Sequence, residues 1–271
     1  MSETIIKDRV KIEIKDQIAY VTLSRADKHN ALDMPMFEAI VKAAKTISKD
    51  KKVRGVILSG DGKSFCSGID VKSMFKNPMT AVKLLIKPGT KFVNLAQEVS
   101  YVWRDLPVPV IAVTHGKCWG GGMQIALGAD FRYTSKNCTF SIMETKWGLI
   151  PDMGGSIALR ELCSIDKAKE LTMTAEVFDA QKAAEYNLVT RICDDPMAEA
   201  TAFLKEIANK SPDAISLTKK LYNGAWLSTI RQALNLETKL QRKLIGRHNQ
   251  KIAGAVYSGD KSASEYSDRS Q

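Results

Sequence analysis

Three short segments carry residues whose types and spacing could do chemistry. The first is Gly120-Gly121-Gly122-Met123-Gln124, which follows the apolar run Val108–Val113. Glycine lets a backbone approach a ligand closely and adopt unusual dihedrals. Free N–H groups at a helix start favour negative charge. This turn can therefore hold an anion or a developing oxyanion, with a tight, closely packed turn as the alternative. The second is Ser64-Phe65-Cys66-Ser67-Gly68-Ile69-Asp70, after the apolar run Val53–Leu58. Two such turns at one sheet edge can aim two backbone donors at one oxygen, which is what thioester enolate chemistry needs. The third runs from Phe140 to Gly155 and holds Glu144 near a strand end, with Asp152 in a Gly/Pro-rich turn before a helix. Carboxylates so placed can move protons. By type alone, Glu144 also reads as a surface residue and Asp152 as a helix N-cap.

The elements that must position these residues alternate. Lys11–Ile14 and Ile18–Leu23 read as strands joined by a tight turn. Asp33 reads as an N-cap with Pro35 in the first turn, followed by Phe37, Ile40, Val41, Ala44 and Ile47 at helical spacing. Val53–Leu58 and Val108–Val113 read as buried strands, and Asn77–Asp105 as a less regular helical stretch. A short helix is expected from about Met123, then strands at Asp130–Thr134 and Thr139–Ile142. This alternation predicts a mixed α/β core. From Asp195 on, helix follows helix. Ser211-Pro212 marks one start, Ile230, Ala233 and Leu234 form one stripe, and Leu236, Leu240 and Leu244 form its neighbour. Residues 259–271 are rich in serine and charge and are expected to be loose.

Composition narrows the function classes. The chain has 271 residues, 44% hydrophobic and 26% charged, as in a soluble globular protein. It has no run of 18 apolar residues and no signal-peptide pattern at its N-terminus, so no membrane association is expected. The five cysteines are odd in number and widely spaced, without a CxxC pair. They suit free, mostly buried thiols in a reducing compartment, and a cytoplasmic location is expected. With three histidines, a multi-histidine metal site is not expected, and His115 reads as structural. The net charge of +10 has three readings: a solvated surface, contact with a polyanionic cofactor, or nucleic acid. The basic residues are scattered without aromatic interleaving, which disfavours nucleic acid. The dinucleotide, phosphate-loop and nucleophile-elbow patterns are all missing.

Arg25-Ala-Asp-Lys-His-Asn-Ala-Leu32, Ser64–Asp70, Gly120–Ala126 and Glu144–Gly155 together resemble the crotonase (enoyl-CoA hydratase/isomerase) superfamily, from about Lys11 to Leu221. The resemblance implies an α/β fold, a spiral of ββα units with a C-terminal helical region. Residues 1–195 would form the core with the coenzyme A and active sites, and 196–271 the helical region serving oligomerisation. It also implies an acyl-CoA thioester substrate, a homotrimer or hexamer, no metal, and no cofactor beyond the coenzyme A of the substrate. Carried over, the Ile69 and Gly121 N–H groups resemble the family's oxyanion hole. Ser67, Gly68, Asp70 and Gly120 lie where substrate binds. Arg25 and Lys28 lie where an early loop approaches coenzyme A phosphates, plain surface charge being the alternative.

The carboxylates bear on the reaction. Hydratases of the family carry two glutamates, one just after the glycine turn and one where Glu144 stands. Here the first place holds Gln124, and an amide cannot act as a base. Dienoyl-CoA isomerases carry an aspartate like Asp152, but also one at the place of Gln124. The expectation is double-bond migration, with Glu144, Asp152 and Gln124 as the catalytic set. The alternatives are hydration of a trans-2-enoyl-CoA and a non-enzymatic RNA- or acyl-CoA-binding member of the fold. Met74, Phe75, Trp119, Met143 and Trp147 are candidates for the acyl pocket, or ordinary core.

Overall fold

A computed structural model describes residues 3–74, 78–259 and 265–270. Strand β1 (Thr4–Ile6) pairs antiparallel with β2 (Val10–Lys15), and β2 pairs antiparallel with β3 (Ile18–Leu23). Lys15 stands opposite Ile18, so the hairpin turn is Asp16-Gln17, with φ of 50° and 64°. Two positive φ values make the turn whose twist matches the flanking strands. Helix α1 (Met34–Lys49) starts at Asp33, whose carboxylate accepts the Met36 N–H at 3.0 Å. Its buried face includes Phe37, Ile40, Val41, Ala44 and Ile47. Strand β4 (Gly55–Gly60) returns parallel to β3, as a helical crossover requires.

Helices α2 (Val71–Met74), α3 (Pro78–Leu85) and α4 (Leu95–Asp105) fill the next crossing. The stretch expected to be loosely helical is interrupted at residues 86–94, where Pro88-Gly89 cannot continue a helix. A capping box between Asn94 and Gln97 restarts it. Strand β5 (Val110–Thr114) lies parallel to β4. Beyond it come β6 (Lys117–Trp119), α5 (Gly121–Leu127), β7 (Phe131–Ser135) and β8 (Thr139–Ser141). Then follow α6 (Gly155–Leu162), α7 (Ile165–Thr174), β9 (Phe178–Asp179), α8 (Ala180–Glu185) and β10 (Arg191–Cys193).

Among the described residues these strands form two sheets, in the orders β1-β2-β3-β4-β5-β7-β10 and β6-β8-β9. Successive residues of β4 serve opposite faces of the large sheet, as the pleat dictates. Val56 and Leu58 join the main core with α1, α4 and α5. Ile57 joins Ile18, Ile111 and Tyr133 against Ala200 and Leu204 of α9 (Pro196–Ala208). Helices α10 (Pro212–Ala225), α11 (Ile230–Gln241) and α12 (His248–Tyr257) follow. Ser211 caps α10 as its sequence signature predicts.

Within the stretch expected to be loose, residues 260–264 and 271 lie outside the described residues, and residues 265–270 differ from expectation. Residues 265–270 are anchored by polar contacts: the Arg269 N–H donates to Lys51 O at 3.1 Å and its guanidinium to Asp50 O at 2.9 Å. The Ser270 N–H and hydroxyl both donate to Asp213 Oδ1, at 2.7 and 2.8 Å. The serine and charge content that suggests looseness supplies these donors.

Candidate active site

The two glycine turns meet. Strand β6 runs into the first, and beside it the Phe65 N–H donates to His115 O at 2.8 Å and the Cys66 N–H to Lys117 O at 3.0 Å. Cys66 and Cys118 form an isolated parallel bridge, so the chains run side by side into Gly68 and Gly120. A Cβ built on Gly68, where φ is +93°, would stand 2.9 Å from Trp119 O and 3.4 Å from the Gly121 nitrogen. Gly120 has φ 50° and ψ −121°, a backbone state suited to glycine. Among the described residues, neither the Ile69 nor the Gly121 N–H has a protein acceptor. Gly121 opens α5, so its donor belongs to the orphan set of a helix start.

The Arg25–Leu32 loop braces the second turn. Arg25 Nη2 lies 2.9 Å from Asp70 Oδ2, Nη1 lies 3.7 Å from Asp33 Oδ2, and Nη1 also donates to Ala31 O at 3.0 Å. The Leu32 N–H donates to Gly68 O, and the Asp70 N–H to Leu32 O. Asp70 Oδ1 accepts from the Ser73 N–H at 3.1 Å. Arg25 and Asp70 are thus paired with each other, whereas Lys28 is exposed. Ser67 is half-buried, its N–H bonded to His29 O. Asn30 was missed at sequence level. It is fully buried at φ 55°, and its amide donates to Asp61, Ser64 and Phe65 carbonyls at 2.9, 2.8 and 3.1 Å. Its signal is weak: asparagine tolerates the left-handed region better than most residues.

The acidic group is buried beside the first turn. Glu144 opens a 3₁₀ turn (Glu144–Trp147) and is 7% exposed, so the surface reading of this residue is overturned. Its Oε1 would lie 3.6 Å from a Cβ on Gly120. Gln124, 1% exposed, donates from Nε2 to Glu144 Oε1 at 2.6 Å. The Gln124 Oε1 accepts the Met153 and Gly155 N–H groups at 2.9 and 3.0 Å. Glu144 Oε2 is buried and has no hydrogen-bond partner among the described residues. Burial pushes the Glu144 carboxyl above its ordinary pKa; the Gln124 bond pulls the other way, and nearby Asp152 adds to the rise. Burial likewise raises Asp152. Asp152 does not cap α6, because the N-cap is Gly154.

The other candidates scatter. Met143 lies against Gly120, and Met74 packs on the edge of the core. The Trp119 indole donates to Thr139 Oγ1 at 3.2 Å within the small sheet, and Trp147 is 56% exposed. Phe75 lies outside the described residues. Met153 and Leu32, missed at sequence level, close on Gly121: their side chains would lie 2.8 and 2.9 Å from a Cβ there. His115 bonds Gly62 O at 3.0 Å, a structural contact. Among the described residues all five cysteines are free thiols, and burial pushes Cys66 up to about 12.

Fold and site together define an α/β protein with free backbone donors from two crossing turns and a buried carboxyl beside them. The sequence profile described as enoyl-CoA hydratase/isomerase matches residues 13–269, so the chain belongs to that family and is an enzyme of that type. A short-chain-enoyl-CoA hydratase of Clostridium acetobutylicum is 32% identical over 255 residues, covering 92% of this chain and 94% of its own. A mitochondrial Delta(3,5)-Delta(2,4)-dienoyl-CoA isomerase of Rattus norvegicus is also 32% identical, over 216 residues, covering 74% of this chain and 64% of its own. The crystal structure of an enoyl-CoA hydratase from Bacillus anthracis superposes with a TM-score of 0.86 at 25% identity, covering 95% of this chain and 98% of that one. The crotonase-type α/β fold expected from the motifs is the fold found.

Proposed function

We propose that the protein shifts a carbon–carbon double bond in an enoyl- or dienoyl-CoA. The observation that carries this reading is the amide at the place of a second base: both ends of Gln124 are occupied, by Glu144 and by the Met153 and Gly155 N–H groups. One base suffices for this reaction. The Ile69 and Gly121 N–H groups would donate to the thioester oxygen and lower the barrier as its charge develops. Glu144 would take the proton from the carbon next to the thioester. The C–H pair moves into the conjugated enolate, whose charge rests on the thioester oxygen. Protonation further along the chain by Glu144, or by Asp152 for a dienoyl chain, restores the thioester and leaves the double bond shifted.

Ser67, Gly68 and Gly120 would line the thioester. Lys28, exposed, would meet the coenzyme A phosphates, while Arg25, paired with Asp70, would hold the loop that carries it. We assign the +10 charge to a solvated surface and to phosphate attraction rather than to nucleic acid. No metal and no cofactor beyond coenzyme A enters this scheme. A cytoplasmic location and a homotrimer or hexamer complete the proposal; among the described residues no helix is long and apolar enough to cross a membrane. Hydration of a trans-2-enoyl-CoA is the second reading, favoured by the likeness to the Clostridium hydratase over nearly the whole chain. Turnover of 3-enoyl-, 2-enoyl- and dienoyl-CoA by the pure protein separates the two. Migration faster than hydration is expected; fast hydration of a 2-enoyl-CoA without migration would overturn the proposal.

A further inference from the structure

Gln124 is held more firmly than a group that meets substrate needs to be. Its carbonyl oxygen accepts two backbone N–H groups, from Met153 and Gly155. An amide nitrogen cannot accept those bonds, so the orientation of the side chain is fixed by its partners. A Cβ on Gly155 would stand 2.9 Å from Gln124 Cγ, so the packing leaves little room to swing. The NH₂ must therefore face Glu144 Oε1, at 2.6 Å. A carboxyl oxygen that accepts a donor in this way is a poor place for an added proton. The other oxygen, Oε2, is buried with no hydrogen-bond partner among the described residues. An orphaned buried acceptor is costly unless a function uses it.

We infer that Gln124 is a positioning residue: it holds Glu144 Oε1 and leaves Oε2 as the single oxygen of Glu144 that takes the substrate proton and, for an enoyl chain, returns it. This rests on the reading of Glu144 as the proton carrier. In the step, a substrate C–H bond breaks, an Oε2–H bond forms, and the electron pair passes to the thioester oxygen. On return the Oε2–H bond breaks and a new C–H bond forms further along the chain. Because Gln124 also binds the 153–155 turn, it couples the carboxylate to the segment next to Asp152, the charged neighbour of Glu144 among the described residues.

Two variants test the assignment. Gln124→Met keeps the length of the side chain but removes the donor and the acceptor. It is expected to lower kcat for migration by about 10–100-fold with KM within about two-fold. It should also raise the Glu144 pKa, read by carboxyl ¹³C NMR without any substrate, since the lost bond is the strongest of those lowering it. Gln124→Glu keeps an acceptor for the Met153 and Gly155 N–H groups, but can donate to Glu144 only while protonated. Its activity should fall toward alkaline pH as the pair loses its shared proton, and the optimum should move to lower pH than the wild type's. A folded Gln124→Met with wild-type kcat and an unmoved Glu144 titration would overturn the inference, as would a Gln124→Glu profile identical to that of the wild type. If Glu144→Gln keeps full activity, the proposed reaction fails instead, while the titration of Glu144 in Gln124→Met still reports the positioning on its own.

Discussion

Glu144 is a carboxyl that the fold keeps under strain of solvation. Burial raises its pKa, one oxygen is held by Gln124, and the other has no partner among the described residues. A group whose folded pKa exceeds its unfolded one contributes stability below the unfolded value. That contribution is lost as pH rises through the folded pKa. Glu144→Gln should therefore cut migration, and hydration if present, by about 10²–10⁴-fold. It should also raise Tm at neutral pH, with the gain shrinking as the pH falls toward the ordinary glutamate range. Rate assays and thermal melts across pH check both; a variant less stable than wild type at pH 7 and equally active would sink the assignment. In the wild type, kcat/KM should fall on the acid side at a pH above that of an ordinary glutamate, because the base must be ionised to accept a proton. Residue type alone told that Gln124 is no base. It could not tell what Gln124 binds, because the Met153 and Gly155 N–H groups reach it from a distant turn.

At the scale of elements, the site depends on two turns held at one distance. Gly68 sits with φ +93° at the point of contact, 2.9 Å from Trp119 O to its would-be Cβ. Gly68→Ala must both strain the backbone, at about 1–3 kcal/mol, and push the Ile69 turn away from Gly121. A misplacement on the order of 1 Å lowers rates about 10²-fold. The expected variant is folded by circular dichroism, melts lower by about 2–4 °C per kcal/mol lost, and has kcat reduced far more than stability accounts for. Wild-type kcat in this variant would show that the two donors do not act together. The elements themselves were mostly legible. The β2–β3 hairpin, the Asp33 cap of α1 and the buried strands β4 and β5 follow from alternation, capping and apolar runs. The division into α3 and α4 was not read, although Pro88-Gly89 marks it, because apolar residues continue on both sides of the break. The convergence of the two turns was anticipated from a shared sheet edge and from the family resemblance, not from any contact between them. The Cys66–Cys118 bridge that makes it is a long-range contact without a local signature.

At the scale of the molecule, the C-terminal helices show both what pattern reveals and where it stops. The two stripes read in and just beyond α11 differ in exposure. Leu240 is 4% exposed, and Leu236 and Leu244 are half-buried, whereas Ile230 and Leu234 are 81% and 56% exposed. Periodicity distinguishes the stripes, yet which one faces the chain depends on tertiary contacts. The chain end was misread for a related reason: Arg269 and Ser270 bond to Asp50 and Asp213, far away in sequence. Trp226 and Leu227, at the end of α10, are also 63% and 54% exposed. Large apolar side chains gathered in one stretch of sequence mark interaction surfaces more often than scattered single ones do. A copy of the same chain is the partner that the proposed trimer or hexamer supplies, and a closed ring uses the same patch in every protomer. Ile230→Glu combined with Leu234→Glu places two charges there without touching the buried Leu240 stripe. Light scattering should give a multiple of 29.9 kDa for the wild type and a smaller mass for the double variant. With the fold intact, migration activity then shows whether the site needs its neighbour. A wild-type mass of one chain would remove the assembly altogether, and an unchanged multimer in the variant would move the interface away from α11.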